Sequence, residues 1–409
     1  MSIRFPSLAL AVLLLAVAPA AVCAAGEDDA IRPEVGRPLQ AAEALIKQQK
    51  FPEALAQIRK ADAAAPLTPR EASLVDQLRG SATAGAGDYR AAAQAFEAAI
   101  VTGKLTPAEK LRLTQAVAVL SYQAKDYAKA ILWAKRYQDA GGSDQQARDL
   151  LAQAYYVSED WAGTVRTLQD QIAAAEHAGR APTDLQLKLL ASAELKQNDT
   201  AAYQVTLEKL AAAYPRPEYW ADLIQRLQSR PGFPHRLTLD VYRLSRAVGV
   251  LSSAPQYIEA AELALQAGLP GEAKTLLDQG FAAGVLGSGP EADRHKRLLA
   301  LAAQKSAADL TSLAATETEA AAAKDGIGLV NTGLDYLGHG QPQKAVLLIE
   351  QGLAKGVEKN SDDARLHLGI AYAANGQKDR SLEAFRSLQS GDVANLARLW
   401  AIHAGSRPS

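Results

Sequence analysis

The chain has 409 residues, room for two or three ordinary domains or for one continuous array of repeats. Lys and Arg number 44 against 45 Asp and Glu, for a formal charge of -1, so no basic stripe serves a nucleic-acid backbone or an anionic membrane surface. Aromatics make up only 6%, and glycines and prolines separate long apolar-periodic segments without clustering into hairpin turns, which excludes an all-β chain and reads as all-α.

Arg4 precedes an apolar run from Leu8 to Ala18, too short to span a bilayer comfortably but suited to the core of a signal peptide. Pro19 and the small-residue segment Ala20-Ala21-Val22-Cys23-Ala24-Ala25 follow, with Val22 and Ala24 at the two positions that precede a cleavage point. Residues 1–24 are therefore expected to be a signal peptide, and the mature chain to be exported to the periplasm. A second reading makes Cys23 the lipid-bearing first residue of an envelope lipoprotein, although Val22 stands where such signals carry a smaller side chain. With cleavage after Ala24 the mature chain has no cysteine, so its stability is expected to come from packing without disulfides. No second stretch reaches membrane-spanning length. Residues 25–37, acidic at first and ending in a proline-containing stretch, read as a flexible leader.

From there one phrase recurs: a polar or glycine turn, an aromatic or apolar residue, then a small residue opening an amphipathic helix. It appears as Lys50-Phe51-Pro52-Glu53-Ala54, Gly87-Asp88-Tyr89-Arg90-Ala91-Ala92, Lys125-Asp126-Tyr127-Ala128-Lys129-Ala130 and Glu159-Asp160-Trp161-Ala162-Gly163-Thr164. It returns at Gly268-Leu269-Pro270, Gly340-Gln341-Pro342 and Gly376-Gln377-Lys378. The steps are roughly 34 to 38 residues, or nearly double where a divergent copy intervenes, the period of a helix-turn-helix solenoid.

Near the end, Leu368-Gly369, Tyr372, the turn at Gly376 and Phe385 fall where the tetratricopeptide repeat family places its signature residues. Gly333, Tyr336, Ala345 and Ile349 repeat the pattern one unit earlier, and Gly80, Ala92, Phe96 and Ala99 do so near the start. The chain thus resembles that family over some nine tenths of its length. The resemblance implies a right-handed superhelical solenoid of about nine or ten helical hairpins, a fold that by itself dictates no chemistry. The array is expected over 38–213 and again over 251–409, with a capping helix through Val393–His403 at the end. Between them, 214–250 lacks the small-residue signature, and Pro231 and Pro234 predict a long, stiff turn marking a bend or a boundary. Residues 291–324 are alanine-rich, helical by propensity and short of aromatics, which predicts thin packing and a flexible point.

Catalytic signatures are missing. There is no nucleophile elbow, phosphate-cradling loop or dinucleotide fingerprint, and Gly284-Val285-Leu286-Gly287-Ser288-Gly289 follows no strand. None of the six histidines reads as paired with His, Glu or Asp at the spacing of a helical zinc site. The expectation is a periplasmic scaffold or adaptor that is not an enzyme and carries no cofactor or metal; the alternatives are an outer-membrane-associated lipoprotein in envelope or polysaccharide assembly and an enzyme with an unrecognised site. Its expected partner is a protein or peptide and not nucleic acid.

In the family resembled, the first helices of successive hairpins line a concave groove that binds extended peptides or helices. Carried over copy by copy, this implies a groove formed by Arg112, Gln115, Tyr122, Gln146, Asp149, Gln153, Tyr156 and Lys188, where tyrosines stand among amides and charges. The corresponding C-terminal positions, Ile327, Val330, Leu334 and Leu337, are apolar, either a binding patch or a stripe buried by the curling of the array.

Overall fold

A computed structural model describes residues 30–103 and 105–406. Among the described residues there are α-helices and one 3₁₀ turn, and no strand. The expected signal peptide, its cleavage point and Cys23 lie outside them. The chain divides into two compact units, the first ending at Tyr203 and the second beginning at Gln204.

Unit 1 holds α1 (Pro33–Lys47), α2 (Phe51–Asp62), α3 (Pro69–Gly85), α4 (Tyr89–Thr102), α5 (Pro107–Gln123), α6 (Tyr127–Asp139), α7 (Gln145–Val157), α8 (Trp161–His177) and α9 (Asp184–Lys196). Helix α10 (Thr200–Ala213) runs across the boundary. Unit 2 continues with α11 (Pro217–Gln228), α12 (Thr238–Ala247), α13 (Ala254–Gln266), α14 (Pro270–Ala282), α15 (Ala292–Ala322), α16 (Ile327–Gly338), α17 (Pro342–Lys355), α18 (Ser361–Ala374), α19 (Lys378–Arg386) and α20 (Gly391–Ser406).

The recurring sequence phrase is a recurring turn. At Gln49, Gly87, Lys125, Glu159 and Asn198 the backbone takes a left-handed conformation, with φ between 60° and 84°, and the second helix begins two residues later. Asp88, Asp126 and Asp160 follow directly and accept a hydrogen bond from the backbone N–H three residues on, closing the new helix at its N-terminus. First helices start differently: Thr68 with Glu71, Thr106 with Glu109 and Thr183 with Gln186 form reciprocal capping boxes. First helix α7 departs from this, starting at a simple cap by Asp144, and α1 and α2 have no side-chain cap.

Within a hairpin the helices approach closely because a glycine of one faces a ring of the other. A Cβ added at Gly80 would lie 2.6 Å from Phe96 Cε1, and one at Gly369 would lie 2.4 Å from Phe385 Cε1. Both rings are buried, packed where a side chain on the first helix would otherwise stand. Gly333 against Ile349 repeats the arrangement with an aliphatic residue. The cores that result are extended: Val35 to Ala82 and Ala92 to Tyr155 cluster in unit 1, and Leu239 to Tyr372 in unit 2.

Successive first helices also touch. In unit 1, α1 meets α3, α5 meets α7 and α7 meets α9. In unit 2 the helices that touch in succession are even-numbered, α14 with α16, α16 with α18 and α18 with α20.

Three expectations need correction. The leader does not extend to residue 37, because α1 already starts at Pro33 and buries Val35. The cause is Arg32. Its backbone N–H and Nε donate to Glu71 Oε1 at 3.0 Å each, Nη2 donates to Oε2 at 2.7 Å, and Nη2 also reaches the carbonyl of Pro66 at 2.8 Å. The region 291–324 is one continuous 31-residue helix, about 46 Å long, with no break at which to flex. Its buried positions His295, Ala302, Ser306, Leu313 and Ala320 form a narrow seam of mostly small residues, so the expected thin packing is present. Third, Pro231 and Pro234 sit in the turn between α11 and α12, as their chemistry requires, but the division between units falls earlier, at Tyr203 and Gln204.

Glu71 is buried, and the Arg32 guanidinium, outweighing burial and aided by the N–H groups of Thr68 and Arg32, holds its carboxyl at about 2. A depressed folded-state pKa adds stability that is complete above the ordinary carboxylate range and lost as pH falls toward 2. Urea unfolding followed by circular dichroism at successive pH values is expected to show Glu71→Gln clearly less stable than the native chain at pH 6. The gap should narrow steadily as pH is lowered from about 4.5.

Candidate functional site

Of the side chains expected to bind a partner, Gln115, Asp149, Tyr156 and Lys188 are engaged by neighbouring residues. On α5, Gln115 Nε2 donates to Asp144 Oδ1 at 3.0 Å, and the same oxygen accepts from Ala147 N to cap α7. On α7, Asp149 Oδ1 accepts from Gln145 at 2.8 Å and from Gln186 of α9 at 3.3 Å. Tyr156 Oη and Ser192 Oγ of α9 share a hydrogen bond of 2.8 Å. Lys188 pairs with Asp184 on its own helix at 2.5 Å. These contacts join α5 to α7 and α7 to α9 in a polar ladder.

Gln153 was expected to face the groove and does not: it is buried at 3% exposure, with its amide oxygen unbonded, because α7 is enclosed there by its neighbours. Gln146 is exposed, while Arg112, Tyr122 and Tyr156 are half-buried. Tyr122 packs edge-on against Tyr127, and Tyr156 against Trp161. Burial pushes the Tyr122 hydroxyl and the Asp149 carboxyl above their usual ranges. The apolar C-terminal positions divide: Val330 and Leu334 are buried, Leu337 is half-buried and Ile327 is 40% exposed.

Unit 2 replaces the polar ladder with buried charges. Arg243 of α12 makes a bidentate pair with Glu272 of α14, at 2.8 and 2.6 Å, and a third contact with Asp240 at 2.6 Å. Asp240 also meets His367 Nε2 of α18 at 3.0 Å. Burial alone would push Asp240 up, yet the charges of His367 and Arg243 hold it at about 2. Burial likewise opposes the charge on Arg243, and the carboxylates of Glu272 and Asp240 overcome it. Beside this network is a cavity of about 1080 Å³, walled among others by Arg246, Leu334, Leu337, Ile370 and Trp400. The buried Trp400 indole N–H has no hydrogen-bond acceptor there.

The sequence reading missed Asp144, Gln186 and Ser192 as partners in the ladder, and the Asp240–Arg243–Glu272–His367 network entirely. A capping signal marks Asp144, and Asp240 and Arg243 stand three apart, but such a pair on a surface helix would read the same way. A further correction concerns the histidines. Asp335 and His339 are four residues apart at the end of α16, a spacing that sets two ligands on one helical face, and Asp309 of α15 lies beside them.

Recurring left-handed turns, glycine-on-ring packing and touching first helices are present in the described residues, which together form a solenoid of helical hairpins. The chain is a tetratricopeptide-like helical repeat protein. No family model and no curated protein matches it. Solved structures similar to this repeat protein include a Naa15/Naa10 complex bound to HypK-THB, at 17% identity and a TM-score of 0.38 over 85% of this chain. The match spans 57% of that chain's length. The TPR domain of P58(IPK) is similar at 14% identity and a TM-score of 0.23, over 90% of this chain and 98% of that one.

Removing one member of a buried charge network strands the others. Arg243→Ala is therefore expected to cost about 3–5 kcal/mol of unfolding free energy, and Gln115→Ala, at a half-buried amide, under about 1 kcal/mol. Equilibrium denaturation of the two variants beside the native chain checks the contrast.

Proposed function

We propose that the protein is an exported scaffold of the cell envelope that holds a partner protein on the first-helix stripe of unit 1. The observation that supports this reading most is the polar ladder through α5, α7 and α9. Side chains tied to one another before any partner arrives present a surface whose ordering cost is already met by folding. Gln146 is exposed along that stripe, and Tyr122 and Tyr156, held edge-on by Tyr127 and Trp161, are half-buried beside it. Rigid aromatic edges beside amides and charges suit the backbone and side chains of an extended segment or a helix.

Export rests on the N-terminal segment with its apolar core and small-residue cleavage point. No helix of the described residues is long and apolar enough to cross a membrane. A lipid on Cys23 would tether the same scaffold to a membrane, and the mass of the mature N-terminus separates the two forms.

The test places a photo-crosslinking amino acid at Gln146 or Tyr122 and, as a control, at Lys135 on the exposed face of α6, in the producing cell. The same partner is expected to crosslink from Gln146 and Tyr122 and not from Lys135. Equal capture from all three positions, or none from the two on the stripe, would show that the stripe is not the binding surface.

A further inference from the structure

Helix α15 buries few of its residues for its length. It is 31 residues long, yet its buried seam consists of one histidine, one leucine, two alanines and a serine. Leu301 and Leu310 are 43% and 50% exposed, so its larger apolar side chains do not all find cover. At the middle of this helix, Asp309 comes against the end of α16. Its Oδ2 lies 2.6 Å from His339 Nε2, which in turn lies 3.8 Å from Asp335 Oδ1. One ligand atom from each of the three residues falls within 4.8 Å of the other two.

Two observations set this cluster apart from a surface ion pair. Asp335 is 8% exposed, and its Oδ1, directed at His339, is buried without a hydrogen-bond donor. A buried carboxylate oxygen with no donor is costly, and a cation beside it removes that cost. The imidazole is also held in place. His339 has a side-chain exposure of 5%, and its ring lies so close over Gly271 that a Cβ there would be 2.7 Å from Cε1. No lysine or arginine is paired with Asp309 or Asp335 among the described ion pairs.

We infer that Asp309, Asp335 and His339 form a site for one divalent transition-metal ion, zinc by ligand type, which clasps α15 to α16. The i,i+4 pair on α16 supplies two ligands from one face, and Asp309 brings the third from a helix that apolar contacts hold weakly. Zinc ligand distances of about 2.0–2.2 Å place ligand atoms roughly 3.3 Å apart, so the present separations bracket the bound geometry and small side-chain rotations suffice. Three protein ligands leave a tetrahedral ion one position for water. An imidazole nitrogen in the set favours zinc over magnesium or calcium, which prefer oxygen alone. This site is independent of the partner-binding stripe in unit 1.

Tag-free mature protein, stripped with a chelator, is titrated with zinc by calorimetry, and thermal unfolding is followed with and without the metal. One zinc per chain is expected, with a rise in melting temperature. His339→Gln and Asp335→Asn should each weaken binding at least about tenfold and abolish that rise, while His177→Gln, at the exposed end of α8, leaves both unchanged. Asp335→Asn removes a carboxylate from a crowded pair, so it should fold at least as well as the native chain without metal and still fail to respond to zinc. The proposal is overturned if the native chain binds no zinc at micromolar concentration, if His339→Gln binds it equally well, or if equimolar magnesium or calcium displaces it.

Discussion

Everything in this protein depends on how closely two helices of a hairpin can approach. Gly80 beneath Phe96 and Gly369 beneath Phe385 set that distance, because the ring occupies the space a Cβ would need. Burial of each ring gives the hairpin its core, but it also leaves the outer surfaces of the pair apolar enough to demand another pair alongside. The array follows from that demand. Once hairpins stack, their first helices meet edge to edge, and polar side chains on the meeting edges have to find partners or remain unsatisfied.

The two units solve this last problem differently. Unit 1 uses neutral amides, a tyrosine and two aspartates spread along α5, α7 and α9, a ladder in which each rung is modest and the loss of one is tolerable. Unit 2 concentrates charge: one arginine serves two buried acids, one of which also meets a histidine from α18. Such a network fixes relative position strictly, because no member can be withdrawn without stranding another. It also stands beside the cavity of about 1080 Å³. Helix α15 takes little part in either scheme; it is attached by a thin seam, by Glu317 to Tyr336 and Lys344, and by Asp309 to His339.

Much of this was legible in the sequence, for physical reasons that can be named. The turn phrases could be read because a left-handed residue followed by a capping aspartate leaves a local signature, as at Gly87-Asp88 and Lys125-Asp126. The glycine–ring pairs could be read because their spacing is fixed by the hairpin. Gln153 could not be placed correctly, since whether a polar residue on a first helix faces water or a neighbouring helix depends on the hairpins either side of it. For the same reason Asp240 and Arg243 read as an ordinary helical pair although both are buried. Arg32 was assigned to a leader because its partner Glu71 lies 39 residues away, beyond any local pattern. The spacing of Asp335 and His339 is visible in the sequence, and only the third residue, Asp309, needs the fold.

Contacts within the chain already order the first-helix stripe of unit 1. Amide hydrogen exchange of the isolated protein, read by mass spectrometry, tests this order directly. Amides in α5, α7 and α9 are expected to exchange as slowly as those of α4 and α6 in the same core, with protection lasting hours. Exchange within seconds along α7 and α9, with α4 protected, would mean that the stripe orders only on binding and would contradict the account.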